Sequence, residues 1–377
     1  MRTLLAITGT RPELLKLAPV VRAMRRSKTL VPKVCLSGQH RELLASVLGD
    51  VDVTPDASIT WPDQLDTLGA KSAHLMAELD PVVSQIKPDG IVVQGDTITA
   101  FMGALAGFYQ QIPVFHVEAG LRTQDPYSPF PEEMNRRLVS RLASLHFAPT
   151  VGAKEALLNE NVDPQTIIVC GNTAIDALKL YASQDNATAR DILAQATPGR
   201  RRLLVTLHRR ENFERVGYVT QAISTLINSR DDIEVFWILH MNATRAKVQQ
   251  ALADQAHVHL LEPQSYPTFV HLMRDADIIL SDSGSVQEEA PALGTPVLVL
   301  RDETERPEAI EVGSATLVGC STQLIVRTVT KLLNDPHAYA EMATPRFPFG
   351  DGHASEQIVA AIERYLGAHV HLDRVSA

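Results

Sequence analysis

The sequence predicts an α/β protein made of two Rossmann-like domains that face each other across a cleft. Short apolar runs typical of strands alternate with helical patterns along the whole chain, and this alternation indicates βαβ units with parallel sheets. At 377 residues the chain is longer than one hydrophobic core usually supports. Hydrophobic residues make up 45% of it and charged residues 21%, which is enough apolar material for two folded cores.

The predicted elements form two series separated by a polar, alanine-rich stretch. The first series has a helix at 12–26 and strands at 3–8, 33–37, 90–94, 112–117, 145–148 and 167–169. The stretch 188–202 carries Pro198 and Gly199, so the seam is expected between residues 171 and 201. The second series has strands at 203–207, 235–239, 258–261, 278–281 and 297–300. We therefore expect domains at 1–172 and 173–353, with a last helix at about 354–366 that packs back on the first domain.

Charge and cysteine content argue against several classes of protein. The chain has 35 Lys and Arg against 44 Asp and Glu, a net charge of −9, and its basic residues are scattered, which disfavours a nucleic-acid groove. Cys35, Cys170 and Cys320 are odd in number, far apart and close to apolar residues. Buried, reduced thiols are expected from this pattern, not disulfides or a zinc site. No apolar run is long enough for a signal peptide or a membrane helix, so a cytoplasmic protein is predicted.

Charged residues follow three strands of the first domain at the point where each strand ends. Arg11 and Lys16 come after the first strand, where a phosphate or an acidic sugar substituent could bind at the start of a helix. Asp96 follows the third strand and Glu118 the fourth. Since open α/β sheets bind ligands at this edge, the convergence predicts a site. Each residue alone has a simpler explanation, as a surface cation, a helix N-cap or part of a solvated acidic loop.

The second domain shows a comparable pattern. His208 and Arg209 leave its first strand and His240 leaves the second, and two histidines at matching sheet ends are candidates for anion or proton handling. After the strand at 278–281, the segment S-D-S-G-S-V-Q-E-E opens a helix whose free N–H groups can hold a diphosphate. Glutamates in the first turns of that helix suit the hydroxyls of a ribose, although a capped helix with ordinary acidic residues would read the same way. Tyr266 and Phe269 are either base-stacking groups or core residues.

The chain resembles the bacterial UDP-N-acetylglucosamine 2-epimerases of the non-hydrolysing type through an ordered set of segments. These are G-T-R-P-E-x-x-K, Q-H-R-E, G-D-T, H-V-E-A-G-L-R-T, Y-S-P-F-P-E-E-x-N-R, H-R-R-E-N, S-D-S-G-x-x-Q-E-E-A and E-R-P-E-A. The resemblance runs from residue 3 to about residue 365. It implies a glycosyltransferase-B-like (GT-B) fold and a cytoplasmic homodimeric isomerase that needs no cofactor. It also implies interconversion of UDP-GlcNAc and UDP-ManNAc for cell-surface polysaccharide.

The same resemblance implies roles for individual residues. Asp96, Glu118 and Glu132 correspond to the catalytic acids, and His208 joins the catalytic set. The residues expected to bind the substrate and its UDP moiety are Arg11, Lys16, Arg136, Phe269, Ser283, Gly284, Ser285 and Glu289. Phe269 lies where the family contacts uracil. Carboxylates clustered on one wall are expected to raise one another's pKa values, as an acid and base pair requires.

Many members of the family bind a second UDP-GlcNAc as an allosteric activator, and this chain departs from their pattern. Residues that correspond to that second site are Gln39, His40, Glu42, His74, Arg209 and His240. Glu42 stands where the family motif has Gln, His74 appears in place of an Arg, and Ala243 replaces a Pro. The sequence therefore leaves allosteric control open.

Three other activities and one non-catalytic role compete with the interpretation as a non-hydrolysing UDP-GlcNAc 2-epimerase. A hydrolysing epimerase would release free ManNAc with UDP, and an epimerase for a modified UDP-sugar would require a changed sugar pocket. A glycosyltransferase of the same fold would need an acceptor groove, often with a basic amphipathic patch, and the sequence shows none. A catalytically silent sugar-nucleotide sensor would not need all three candidate acids.

Overall fold

The computed structural model describes residues 1–38, 48–49, 51, 53–62, 65–123, 125–241 and 243–375. The chain divides into two compact units. The first consists of Met1–Ala177 together with Phe349–Ala377, and the second of Leu178–Pro348.

The first unit is built on a seven-stranded parallel sheet. Its strands are β1 (Arg2–Thr8), β2 (Leu30–Leu36), β3 (Ala57–Ser58), β4 (Gly90–Gln94), β5 (Val114–Val117), β6 (Leu145–Ala148) and β7 (Ile167–Val169). They lie in the order β3-β2-β1-β4-β5-β6-β7, with Ile7 paired to Cys35 and Ala6 to Val92. Because the order reverses between β1 and β4, the loops after these two strands flank a topological switch point, where doubly wound sheets bind ligands.

The helices of the first unit cover this sheet. They are α1 (Arg11–Arg26), α2 (Leu68–Ile86), α3 (Ile98–Tyr109), α4 (Glu132–Leu142), α5 (Val151–Asn159) and α15 (Ala354–Val375), while α6 (Thr173–Ala182) spans the boundary between the units. A capping box fixes the start of α1, because the Thr10 hydroxyl accepts from the Glu13 N–H and the Glu13 carboxylate accepts from the Thr10 N–H. The carboxylate of Glu363 on α15 accepts hydrogen bonds from Ser27 and Thr29, just after α1.

The second unit repeats the architecture with six parallel strands. These are β8 (Arg201–Thr206), β9 (Ile233–Ile238), β10 (Val258–Leu261), β11 (Ile278–Ser281), β12 (Val297–Val299) and β13 (Ala315–Leu317). The order is β10-β9-β8-β11-β12-β13, so its switch point lies between β8 and β11. The helices of this unit are α7 (Ala187–Leu193), α8 (Val216–Ser229), α9 (Arg245–Leu252), α10 (Tyr266–Arg274), α11 (Gly284–Leu293), α12 (Pro307–Glu311), α13 (Thr322–Asn334) and α14 (Pro336–Met342).

The predicted class, α/β with two parallel sheets, is confirmed, and the differences are local. The strand expected at 112–117 begins two residues later, at Val114, where Pro113 has no N–H to donate to the ladder. The strand β3 was not predicted because it has only two residues. The last helix continues to Val375, beyond the expected end at residue 366.

The three thiols lie in the cores, as predicted. Cys35, Cys170 and Cys320 are all free and buried. Burial raises the pKa of Cys35 and Cys170 to about 12 and that of Cys320 to about 11, so these thiols stay protonated. In the part of the chain that the structure describes, no helix combines the length and apolarity needed to cross a membrane.

Candidate active site

Glu118 leaves β5 at the carboxyl edge of the first sheet, with a strained backbone. Its φ is +61°, a conformation that side-chain-bearing residues rarely adopt and that clusters at functional sites. The side chain is only 5% exposed, and Lys16 Nζ lies 2.6 and 2.8 Å from its two carboxylate oxygens. Gln94, the last residue of β4, donates a further hydrogen bond from its amide. Two elements therefore hold this buried carboxylate in place.

Asp96 lies in the neighbouring loop, after β4, and is held through both its side chain and its backbone. Arg136 Nη2 is 2.7 Å from Oδ2 of Asp96, and Asn135 Nδ2 donates to the Asp96 carbonyl at 2.9 Å. The ring of His116 contacts the preceding carbonyl, with Nε2 2.8 Å from the oxygen of Gly95. Burial lowers the pKa of His116 to about 3, so the ring is neutral and Nε2–H is the donor.

The two glutamates that begin α4 have different environments. Glu132 is half-buried, and its carboxylate makes no hydrogen bond or ion pair to any residue that the structure describes. Glu133 is fully buried and lies between Arg136 and Arg137, at N···O distances of 3.5 and 2.7 Å. It also accepts a hydrogen bond from the Thr123 N–H at 2.9 Å. The Glu132 carboxylate is thus accessible to a ligand, whereas the Glu133 carboxylate holds the loop after β5 against α4.

The first turn of α1 is tied to the Asp96 loop by a buried carboxylate that sequence reasoning did not single out. Glu13 accepts from the N–H groups of Gly9 and Thr10 at 2.9 and 2.7 Å, and from the hydroxyl of Thr97 at 2.5 Å. Burial raises its pKa, partly offset by these donors. The pattern Thr-x-x-Glu before an apolar run was the available signal. Arg11, the first residue of α1, is half-buried at the same edge.

Two of the three predicted acids pair with cations of the first unit, and the expected effect of the carboxylates on one another stays a prediction. Glu118 has Lys16 beside it and Asp96 has Arg136, so each of these two acids has a cation of the same unit next to it. Lys16 and Arg136 were both expected to bind the substrate, yet they contact acids of the same unit. Motif spacing does not reveal which side chains pair, and substrate binding by these two residues stays a prediction.

In the second unit, the loop after β8 and the loop after β11 meet at Asp282. This carboxylate is fully buried and accepts hydrogen bonds from the N–H groups of His208 and Arg209 and from Asn212 Nδ2. Nδ1 of His208 lies 2.9 Å from its Oδ1. The ring of His240 is 5.3 Å from that of His208, and its Nε2 is 2.8 Å from the Thr206 hydroxyl. Both histidines are therefore brought to the edge that the sequence predicted.

The helix expected to hold a diphosphate begins as predicted. Ser283 is the N-cap residue of α11, Gly284 is the first helical residue, and Ser285 is exposed in the first turn. The Ser283 side chain makes no capping hydrogen bond. A Cβ added to Gly284 would lie 3.4 Å from Cζ of Arg306, so this guanidinium packs against the start of the helix. The Arg306 side chain is held by Glu288 at 2.8 Å.

The remaining predicted nucleotide residues lie on α10 and α11. Glu289 is buried, and its Oε1 accepts from the Tyr266 hydroxyl at 3.1 Å. Tyr266 itself is buried against Tyr181, which makes it a core residue, while Phe269 is half-buried on α10. Tyr266 thus supports a predicted ribose-binding carboxylate, and Phe269 is the more accessible aromatic ring.

The structure describes only some of the residues that correspond to the second nucleotide site. Gln39, His40 and Glu42 lie outside the described residues. His74 on α2 has Nε2 2.9 Å from the Thr60 carbonyl oxygen and a ring contact with Trp61. In the second unit, Arg209 has a buried Nε without a hydrogen bond to any described residue. Among the described residues, no group of three or more His, Cys, Asp or Glu could hold a metal ion.

The two parallel sheets, with charged groups at their carboxyl edges, define an α/β enzyme of the GT-B-like fold class. Comparison with protein-family models matches residues 22–363 to "UDP-N-acetylglucosamine 2-epimerase". The chain belongs to this family, and the predicted enzyme class, an isomerase, is confirmed.

Similar proteins cover nearly the whole chain. The UDP-N-acetylglucosamine 2-epimerase of Escherichia coli O157:H7 is 43% identical over 368 residues, which are 95% of this chain and 98% of that protein. The crystal structure of UDP-GlcNAc 2-epimerase from Neisseria meningitidis bound to UDP-GlcNAc has a TM-score of 0.89 at 42% identity, covering 96% of this chain and 100% of that one. The Methanocaldococcus jannaschii enzyme in complex with UDP-GlcNAc and UDP has a TM-score of 0.79 at 33% identity, covering 96% and 99%.

Proposed function

We propose that this chain interconverts UDP-GlcNAc and UDP-ManNAc by anti-elimination of UDP and its re-addition. The observation that carries the proposal is the acid-rich edge of the first sheet, where Asp96 and Glu118 are fixed beside cations and Glu132 is accessible. The family and its structures with UDP-GlcNAc support the choice of substrate.

The chemistry requires this combination of groups. The C2 hydrogen of the sugar has no neighbouring carbonyl, so its direct removal is too costly. When the C1–O bond breaks, its electron pair leaves with UDP, and the developing oxocarbenium ion at C1 acidifies C2 and is stabilised by carboxylates. A carboxylate among Asp96, Glu118 and Glu132 then takes the C2 proton, which gives a glycal. Return of a proton to the other face of C2, with addition of UDP to C1, completes the epimerisation.

We further propose that the second unit retains UDP while the glycal exists. The free N–H groups at the start of α11 and the neighbouring side chain of Arg306 suit a diphosphate. Glu289 is the carboxylate proposed for the ribose hydroxyls, and Phe269 is proposed for uracil. Retention of UDP separates epimerisation from net hydrolysis. The product would supply cell-surface polysaccharide synthesis.

Incubation of the enzyme with UDP-GlcNAc in D2O, followed by NMR, tests the proposal. Deuterium at C2 of both UDP-GlcNAc and UDP-ManNAc is expected, because the abstracted proton exchanges with solvent. Free ManNAc with UDP would identify a hydrolysing enzyme, and unchanged substrate would contradict the proposal. Glu118→Gln should abolish incorporation, whereas Glu155→Gln, on an exposed position of α5, should leave it unchanged.

We also propose a homodimer, as the family resemblance implies. Phe108 and Tyr109 at the end of α3 are 56% and 65% exposed, and adjacent exposed aromatic residues are typical of interaction surfaces. Sedimentation equilibrium should give a dimer for the wild-type chain and a weaker one for Phe108→Ser with Tyr109→Ser. A monomer at micromolar concentration in the wild type would contradict the proposal.

A further inference from the structure

Asp282 joins two segments that the sequence singled out separately, S-D-S-G and H-R-R-E-N. Its side chain is 0% exposed, and its donors all come from the loop after β8. They are the N–H groups of His208 and Arg209, at 3.0 and 2.9 Å, and Nδ2 of Asn212, at 3.0 Å. One carboxylate on β11's loop therefore determines the course of the chain that carries His208.

Asp282 also contacts the His208 ring. Nδ1 lies 2.9 Å from Oδ1, although the contact does not have the geometry of a hydrogen bond. A lone pair on Nδ1 would face a carboxylate oxygen at this distance, so the proton is favoured on Nδ1 of the neutral ring. Nε2 is then the nitrogen left for a ligand, and the His208 side chain is 37% exposed.

The Asp282 carboxylate is charged, which suits its contact with a protonated Nδ1. Burial alone would raise its pKa, but the close contact with the His208 ring and the donors from Arg209 and Asn212 outweigh burial, and the net pKa lies below the ordinary value of 3.8. Asp282 is consequently ionised at neutral pH.

We propose that Asp282 is a positioning residue that acts through His208, holding Nδ1 protonated so that Nε2 faces the leaving phosphate of the UDP-sugar. This inference rests on the proposed function for its ligand. The imidazole would place a positive or hydrogen-bonding group where negative charge develops as the C1–O bond breaks. The groups near the ring are Asp282 and His240, with Arg209 adjacent in the chain.

A double-mutant cycle with Asp282→Asn and His208→Gln tests the inference. In the wild-type background, Asp282→Asn is expected to lower kcat by on the order of 10²-fold, because the amide favours the wrong tautomer. In the His208→Gln background it should cost less than about 3-fold, since the two residues act as a unit. A full additional loss in that background would show that Asp282 acts independently of His208, which would overturn the inference.

A matched control and a second measurement separate this role from simple stabilisation. Asp277 precedes β11 at the opposite end of the strand and accepts from the Arg202 N–H and from Arg201. Asp277→Asn should lower the melting temperature while leaving kcat within about 3-fold.

Nitrogen-15 NMR of the wild-type protein shows which ring nitrogen of His208 carries the proton. It needs no turnover, so it tests the inference even if Asp282→Asn does not fold or the substrate proposal fails. The His208 signal is assigned by its loss in His208→Gln. A proton on Nδ1 of the neutral ring is expected, and a proton on Nε2 instead would overturn the inference.

Discussion

The buried carboxylate of Glu133 provides the sharpest test of how the acid-rich edge is held together. Its Oε1 accepts from Arg137 Nε at 2.7 Å and its Oε2 from the Thr123 N–H at 2.9 Å, with Arg136 Nη1 3.5 Å away. Glu133→Gln keeps the size of the side chain but removes its charge. Whichever way the amide is turned, its NH2 group faces a donor.

The expected loss of stability follows from these contacts. A hydrogen bond to a charged group contributes about 1.5–3 kcal/mol, and removing one partner of a buried pair costs about 3–5 kcal/mol. The Arg137 side chain is 35% exposed and can turn to water, so we expect a loss below the full cost of breaking a buried pair, about 2–3 kcal/mol. For a unit of roughly 200 residues, this lowers Tm by about 4–12 °C.

Turnover should fall as well, because Arg136 links Glu133 to Asp96. Arg136 Nη2 lies 2.7 Å from Oδ2 of Asp96. A guanidinium no longer held by Glu133 would let the Asp96 carboxylate shift. Asp96 is one of the proposed catalytic acids, and small displacements of such a group cost on the order of 10–100-fold in rate. We expect kcat to fall by that factor with a smaller change in KM.

Thermal melts followed by circular dichroism and NMR turnover assays measure both effects. Glu155→Gln is the matched control, since Glu155 is exposed on α5 and surface changes usually stay within about 0.5 kcal/mol. If Glu133→Gln melts within about 2 °C of the wild type and turns over at the wild-type rate, the reasoning about this network is wrong.

Two further substitutions test the same edge. Gly120 has φ +92°, and a Cβ there would lie 2.2 Å from the Ala153 carbonyl oxygen. Gly120→Ala should therefore lower the stability by at least about 3 kcal/mol in thermal melts. Gly95→Ala is the control and should cost about 1–2 kcal/mol, because its Cβ would meet nothing within 4 Å. Equal costs would contradict this. Glu160 pairs with Arg122 through hydrogen bonds of 2.7 and 2.9 Å, which lower the pKa of Glu160. The stability that this pair contributes is complete above the ordinary Glu pKa of 4.5. It is lost as the pH falls through the lower pKa of Glu160 in the folded protein. Urea unfolding of Glu160→Gln should therefore show a deficit of about 1–2 kcal/mol at pH 7 that shrinks in acid, and a constant deficit would refute the assignment.

The strands could be predicted closely where the chain is apolar and bounded by breakers. The predicted strands at 90–94, 145–148 and 278–281 have the observed bounds, because parallel strands buried on both faces read as continuous hydrophobic runs. The two-residue strand β3 has no such run. Its place depends on pairing with β2, which is a long-range contact.

The site was predictable as a set of positions but not as a set of contacts. Strand ends indicated where Asp96 and Glu118 would lie, since parallel strands deliver their following residues to one edge. The partners of these acids, Arg136 and Lys16, are 40 and 102 residues away along the chain. Such pairs depend on strand order and side-chain rotamers, which local patterns do not contain.

Glu118 combines two features that a sequence selected only for stability would avoid. A left-handed backbone costs about 1–2 kcal/mol for a residue with a side chain, and a buried ion pair such as Lys16 with Glu118 often contributes no net stability. The conformation is imposed by its neighbours, because the Ala119 N–H donates to Phe147 at 2.9 Å and the Gly95 N–H donates to Val117 at 2.9 Å. The preferences for a right-handed backbone and for exposed charges are therefore both overridden at Glu118, at the carboxyl edge of the sheet. Conflicts between stability and function are expected at such functional positions.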